Sequence, residues 1–154
     1  LDPAGRIHPG AAAAIPDFEA VVIGPGSFYT SLVPIFLPRG VREAVAVVEG
    51  PIILVTNLLT EGRGMTGFTA GTAVRRISEV IGRPVDVAII NVGNPGEETL
   101  DRYAEEHKEL LLIGNVPDGC EVITGEFWQG QFARHARRRL AYAVWGVLSQ
   151  RLLT

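Results

Sequence analysis

Residues 21–31, Val21-Val22-Ile23-Gly24-Pro25-Gly26-Ser27-Phe28-Tyr29-Thr30-Ser31, join a short β-branched run to a glycine turn and a series of hydroxyl side chains. This order is typical of a strand that ends at a ligand, because glycine lets the backbone approach closely and N–H and O–H groups can point at an anion. An ordinary strand-to-helix turn fits the same residues, and the loop is neither a Walker A sequence nor a three-glycine dinucleotide fingerprint. On the first interpretation the candidate phosphate ligands are Gly24, Gly26, Ser27, Tyr29, Thr30 and Ser31.

Apolar runs alternate with segments of helical period along the rest of the chain. Strands are expected at about 20–23, 51–56, 85–90, 110–113 and 121–124, and helices at 41–48, 69–82, 97–107 and 133–152. Strands that are apolar on both faces and separated by helices favour a parallel sheet covered on both sides. The sequence therefore predicts an α/β, Rossmann-like three-layer sandwich with a mostly parallel sheet of four to five strands, as one domain over residues 1–154.

Composition excludes several classes of protein. Of the 154 residues, 47% are hydrophobic and 20% are charged, which is typical of a folded globular chain. The longest apolar runs have the length of strands, so no membrane span is expected. A net charge of −3 gives no indication of nucleic-acid binding, and the single cysteine, Cys120, excludes an internal disulfide framework.

Two further strand ends carry polar loops. The loop at 57–69 contains Asn57, Thr60, Glu61 and Arg63 with three glycines, and long loops of this kind are often functional. Arg63 suits a phosphate or is a solvated loop charge, and Glu61 suits a sugar hydroxyl or a base. In the loop at 91–96, Asn91 suits a ligand's polar edge or a helix cap. Because parallel strands end at one edge of a sheet, we expect all three loops to face one cleft.

Classical catalytic and metal patterns are not found. The three histidines, His8, His107 and His135, lack metal-ligand spacing, and no nucleophile elbow or local acid–base pair occurs. The sequence therefore predicts neither catalytic nor metal-ligating residues.

The segment Ile23-Gly24-Pro25-Gly26-Ser27-Phe28-Tyr29-Thr30-Ser31-Leu32-Val33-Pro34 resembles a motif of bacterial gluconeogenesis factors. These YvcK-type proteins share a superfamily with 2-phospho-L-lactate transferase. The resemblance continues through 56–61, 66–70, Asn91, 102–104 and 134–135. It implies a cytoplasmic regulator, rather than an enzyme, that binds a UDP-sugar, typically UDP-N-acetylglucosamine, and acts on carbon metabolism, cell-wall precursor supply and cell shape.

The resemblance also implies binding roles for two residues, and this chain lacks some features of the family. It implies that Tyr103 and Arg134 bind the nucleotide sugar, although Tyr103 also suits a helix's inner face. The family's Gly-Gly-Gly-Thr-Gly loop has no counterpart here, so the chain is expected to be the carboxyl-terminal portion of a longer member. Gly71-Thr72-Ala73 replaces a histidine-containing stretch, and Arg137 stands where some relatives carry a phosphorylatable threonine.

The expected partners are a nucleotide-sugar ligand and further copies of the chain, in a homodimer or higher oligomer, with no required cofactor. The alternative is a 2-phospho-L-lactate transferase-like enzyme that acts on a deazaflavin with a nucleotide-activated phosphoester donor. Only this alternative needs magnesium, for which Glu61 is the one well-placed carboxylate.

Overall fold

The computed structural model describes residues 5–153, apart from the side chain of Arg63. Within this range the strands β1 (Val21–Ile23), β2 (Ile52–Val55), β3 (Val87–Asn91) and β4 (Glu121–Gly125) form one sheet in the order β1-β2-β3-β4. All three pairings are parallel. The predicted α/β class and parallel sheet are confirmed.

Helices lie before the first strand, in each connection between strands and after the last strand. They are α1 (Pro9–Ala14), α2 (Val33–Phe36), α3 (Val41–Ala46), α4 (Ala70–Ile81), α5 (Glu97–Ala104) and α6 (Arg137–Leu152). The start and end of α4 follow the sequence signals, because Thr69 Oγ1 accepts a hydrogen bond of 3.2 Å from Thr72 N and Gly82 ends the helix at a φ of 78°. No helix among residues 5–153 is long and apolar enough to cross a membrane.

Helices cover both faces of the sheet because side chains alternate along each strand. Ile52 and Leu54 of β2 point into one buried cluster with residues of α2, α3 and α4, whereas Ile53 and Val55 point into a second cluster with residues of α5 and α6. The strand residues Ile52, Ile53 and Val87 are fully buried. The result is the predicted three-layer arrangement.

The strand expected at 110–113 does not form. Leu110 makes a single antiparallel bridge to Leu59, and Leu110 and Leu111 pack into opposite clusters as the chain crosses the edge of the sheet. The carbonyls of Leu112 and Ile113 accept hydrogen bonds of 2.8 Å from the first backbone N–H groups of α4. The run is apolar because its side chains pack into both buried clusters. Its carbonyl groups accept from the free N–H groups at the start of α4 instead of pairing with a neighbouring strand.

The last helix begins later than expected, at Arg137 instead of about residue 133. Residues 127–136 form a closed turn, in which Trp128 and His135 make an antiparallel bridge and Ala136 N donates to Phe127 O at 2.6 Å. These pairings hold 133–136 out of the helix. The turn brings Ala133 to the edge of the sheet where β1 and β2 end.

Candidate functional site

A groove of about 510 Å³, the rim groove, lies where β1 and β2 end. One wall comes from the loop after β1, one from the loop after β2, and the third from α5 and the segments that follow it. The polar residues that line it are Ser27, Tyr29, Thr30, Asn57, Thr60, Glu61, Tyr103 and Lys108, together with Ala133. Of the three loops that the sequence predicts to face one cleft, the first two line this groove, whereas no residue of the loop at 91–96 does.

The first wall depends on a close approach of two backbones. Gly24 has a φ of 87°, and a Cβ atom there would lie 2.6 Å from the carbonyl oxygen of Val55. Only glycine fits this position, so the turn rests directly on the end of β2. The turn presents Ser27, whose hydroxyl contacts Thr30 Oγ1 and donates to Glu61 Oε2 at 2.6 Å.

The second wall is organised by the Glu61 carboxylate. Its Oε1 atom accepts hydrogen bonds from Phe28 N at 2.7 Å and from Asn57 Nδ2 at 3.2 Å, while Oε2 accepts from Ser27. Asn57 is fixed in turn, because its Oδ1 accepts from Leu58 N at 2.9 Å. The sequence suggests Glu61 as an acceptor for a sugar hydroxyl or a base, but here its carboxylate accepts from the chain itself. Nothing local in the sequence shows that it faces a loop 33 residues earlier.

Thr60 lies in the same loop but serves the fold. Its buried hydroxyl accepts from Glu109 N at 2.9 Å, and its own N–H donates to Glu109 O at 2.8 Å. These two bonds hold the loop after β2 against the segment that follows α5. They keep two of the walls at a fixed spacing.

The third wall is formed by Tyr103, Ala133 and Lys108. The Tyr103 hydroxyl accepts from Ala133 N at 2.7 Å, and its ring packs edge-on against Trp128 with centroids 6.2 Å apart. Tyr103 thus has both the packing role and the groove position that the sequence left open. Lys108 pairs with Glu106 and adds a positive charge that no sequence pattern indicates.

Tyr29 lines the groove with its ring rather than with a free hydroxyl. Arg76 donates to its hydroxyl, and the Arg76 guanidinium lies 5.7 Å from the ring centroid and 5.8 Å from that of Phe68. The cation over two aromatic faces fixes this side chain at the edge of the groove.

Asn91 is not brought into the groove. It is buried at the end of β3, and its Oδ1 accepts from Gly93 N, Phe127 N and Trp128 N at 3.1, 2.8 and 3.1 Å, while Nδ2 donates to Gly93 O at 2.8 Å. The amide therefore uses its hydrogen-bonding capacity within the chain. It holds the turn at 127–136 against the sheet.

Several other predicted residues lie beside the groove rather than in its wall. Gly24, Gly26 and Ser31 shape the first loop without lining the groove. Arg134 follows the lining residue Ala133 and has an exposed side chain. The backbone of Arg63 belongs to a 3-10 turn at Arg63–Met65, and its side chain lies outside what the structure describes.

Among the residues that the structure describes, His135 and Cys120 have pKa values displaced from their ordinary range. Burial lowers the pKa of His135, and its hydrogen bond of 3.2 Å to Thr56 O opposes that effect in part. Burial, aided by the negative charge of Asp86, raises the pKa of the Cys120 thiol. Neither side chain lines the rim groove. In the described part of the chain, no three His, Cys, Asp or Glu side chains cluster as a metal site would require.

Comparison with known proteins places this geometry in a family. Residues 2–128 match the family described as 2-phospho-L-lactate transferase CofD. The chain belongs to this family. The matched range includes both loops of the rim groove and Tyr103, and ends before Ala133.

Relatives of the CofD-family chain carry a second name. This chain is 28% identical over 144 residues to the gluconeogenesis factor of Listeria monocytogenes, and the match covers 92% of this chain and 45% of that protein. It is 31% identical over 150 residues to a protein of Aquifex aeolicus provisionally named gluconeogenesis factor, covering 91% and 44%. The resemblance to gluconeogenesis factors is confirmed, and the chain spans less than half the length of these relatives.

A solved structure shows the same fold. The UPF0052-family protein of Bacillus halodurans superposes with a TM-score of 0.79 at 25% identity, over 91% of this chain and 47% of that one. The solved structure and this chain therefore share one fold. The matched family is described as a transferase, whereas the curated relatives are named gluconeogenesis factors.

Proposed function

We propose that the rim groove binds a nucleotide sugar, UDP-N-acetylglucosamine or a close relative, and that the protein is a cytoplasmic regulator of carbon metabolism, cell-wall precursor supply and cell shape. Its ligand would meet Ser27, Thr30 and Asn57 on one side and Tyr103 and Lys108 on the other. We also propose Arg63 and Arg134 as contacts of the phosphates, because a guanidinium group suits a phosphate.

One observation carries this proposal: loops from different strands converge with α5 on one concave surface that carries several polar side chains. Its volume of about 510 Å³ lies within the range of small-molecule sites, roughly 300–1,000 Å³. Hydroxyl groups of Ser27 and Thr30, the Asn57 amide and the Lys108 ammonium suit phosphates and sugar hydroxyls better than an apolar ligand. The gluconeogenesis-factor relatives support a regulatory role.

Calorimetric titration with UDP-N-acetylglucosamine tests the proposal. We expect saturable heat that Ser27→Ala and Lys108→Ala both weaken, whereas Lys108→Arg retains most of it. Ser149→Ala, outside the groove, is the matched control for the serine variant. Absence of heat at millimolar ligand, or equal binding by all variants, would contradict the proposal.

We also propose that the protein self-associates. Val22 at the outer edge of β1 is 42% exposed, and no strand pairs with that edge among residues 5–153. On α6, Tyr142 and Trp145 are 77% and 65% exposed. Open edges and exposed aromatic side chains are usually covered by a partner. Light scattering should give a dimer or larger species that Val22→Lys or Trp145→Glu shifts toward the monomer.

A transferase is the second candidate, favoured by the name of the matched family. Among the described residues, Glu61 is the one carboxylate that lines the groove, and its oxygens already accept three hydrogen bonds from the chain. Because a magnesium ion would have to displace these donors, the residues present do not fit it. Product formation from guanylylated phospholactate, deazaflavin and magnesium would establish the transferase.

A further inference from the structure

The Glu61 carboxylate occupies the donors that an anion would use in the first loop. Ser27 Oγ and Phe28 N donate to its two oxygens at 2.6 and 2.7 Å. Both donors follow the Gly24 turn at the end of β1, and a hydroxyl beside a backbone N–H in such a turn is a common pair of phosphate ligands. Glu61 itself belongs to the other loop, so the anion in this position is supplied by the chain.

The described surroundings of Glu61 hold it by hydrogen bonds. The third donor is Asn57 Nδ2 at 3.2 Å, and none of the ion pairs between described side chains includes Glu61. A carboxylate that receives a backbone N–H, a hydroxyl and an amide is well satisfied, because charged acceptors make the stronger hydrogen bonds. Its interaction with the first loop therefore competes with any ligand that needs the same donors.

From these contacts we propose that Glu61 is an internal competitor for the anionic part of the ligand and sets the affinity of the rim groove. A phosphate enters the turn at Ser27 and Phe28 only when the Glu61 carboxylate leaves it. Two negative groups at hydrogen-bond distance from the same two donors repel each other, so occupancy by one excludes the other. This inference rests on the proposed function for the identity of the ligand, but the competition concerns anions in general.

This competition couples ligand binding to movement of the loop after β2. Displacement of the Glu61 carboxylate breaks its hydrogen bonds to Ser27, Phe28 and Asn57. The first two of these bonds connect the loop after β1 to the loop after β2, so that connection is lost. The loop would remain tied to the segment after α5 through Thr60 and Glu109. A phosphate-bearing ligand thus changes how the first and second walls contact each other.

Substitution of Glu61 gives a result opposite to that for an ordinary ligand residue. Glu61→Gln removes the charge and keeps one acceptor oxygen, so only one of the two donors, Phe28 N or Ser27 Oγ, retains its hydrogen bond to the side chain. We expect it to bind UDP-N-acetylglucosamine on the order of tenfold more tightly than the parent protein, as removal of one repulsive charge beside a bound anion predicts. A weaker affinity would instead mean that Glu61 contacts the ligand, and would overturn the inference.

A second experiment does not depend on the nucleotide sugar. Glu61→Ala leaves Ser27 Oγ and Phe28 N without their acceptor, and inorganic phosphate should fill that place. We expect phosphate to raise the melting temperature of Glu61→Ala by several degrees relative to sodium chloride of equal ionic strength. The parent protein and Glu98→Ala, a control at an exposed acidic residue of α5, should respond much less.

The outcomes separate the two proposals. Equal phosphate responses in all three proteins, or no response in Glu61→Ala, would overturn the competitor role. If Glu61→Ala does not fold, the same phosphate comparison is made with Glu61→Gln, whose response should also exceed that of the parent protein. A selective phosphate response without nucleotide-sugar binding by any variant would support the competitor role and contradict the proposed function.

Discussion

The hydroxyl of Tyr103 in α5 accepts a 2.7 Å hydrogen bond from the backbone N–H of Ala133, which lies in the turn before α6. Both residues line the rim groove. The bond therefore joins a helix and a distant turn into a single wall opposite the loops that follow β1 and β2. The shape of the groove therefore depends on this connection as well as on the sheet.

Tyr103→Phe should loosen the third wall without removing the ring. Loss of the hydroxyl leaves Ala133 N without its acceptor, and we expect a cost of about 1 kcal/mol in the free energy of unfolding and weaker nucleotide-sugar binding. Urea denaturation and calorimetry measure the two effects. Tyr142→Phe, at a tyrosine that is 77% exposed, should change neither. Equal behaviour of the two variants would contradict the role of the Tyr103–Ala133 bond.

Asn91→Ala should destabilise the fold. Three backbone N–H groups, those of Gly93, Phe127 and Trp128, lose a buried acceptor, so we expect a loss of about 3 kcal/mol or more in the free energy of unfolding. Asn94→Ala is the control, because Asn94 is exposed and accepts a single bond, from Gly96 N, and should cost about 1 kcal/mol or less. A stable Asn91→Ala protein that fails only in ligand binding would show that Asn91 is a ligand residue after all.

Gly24→Ala tests the close approach between the first loop and β2. The added Cβ would meet the Val55 carbonyl oxygen at 2.6 Å, in addition to the strain of a φ of 87°. Gly119 has a φ of 86° and nothing within 4 Å of the same position, so Gly119→Ala reports the strain alone. Chemical denaturation should show Gly24→Ala less stable than Gly119→Ala by roughly 1–3 kcal/mol. Equal losses would contradict the contact.

Stability should fall with acid through His135. Burial lowers the pKa of its ring in the folded state, so the unfolded state binds more protons as the pH falls below about 6.5. Neutral His135 therefore makes its full contribution to the free energy of unfolding above that pH. The contribution is lost as the pH falls from about 6.5 to the lower pKa of the folded state. His135→Asn should reduce the slope of stability between pH 7 and pH 5, measured by urea denaturation. His107→Asn, at an exposed histidine with a φ of 59°, should retain it.

Much of the fold follows from local pattern. The β-branched runs predict β1, β2 and β3, and Thr69 with Gly82 predicts both ends of α4, because capping depends on residues close in sequence. The run at 110–113 misleads because its apolar side chains fill two cores while its carbonyls bond to α4. Hydrophobic periodicity indicates which side chains are buried, but it does not indicate which groups form hydrogen bonds with the backbone.

The site is less accessible to sequence reasoning because its key contacts are long-range. Ser27, Thr30 and Asn57 are predictable from their positions after strands, and they do line the groove. The bond between Ser27 and Glu61 spans 34 residues, and nothing near either residue indicates it. Asn91 has the same strand-end position as Asn57, yet its amide bonds inward because the turn at 127–136 returns to it.

The backbone amide signals of the isotope-labelled chain, followed during titration with UDP-N-acetylglucosamine, give the decisive test of the rim groove as a nucleotide-sugar site. We predict saturable shifts at Ser27–Thr30, at Asn57–Glu61 and around Tyr103 and Ala133, with the signals of Arg137–Arg139 and of the exposed face of α6 unchanged. Shifts confined to residues outside the groove, or no shifts at millimolar ligand, would contradict this assignment.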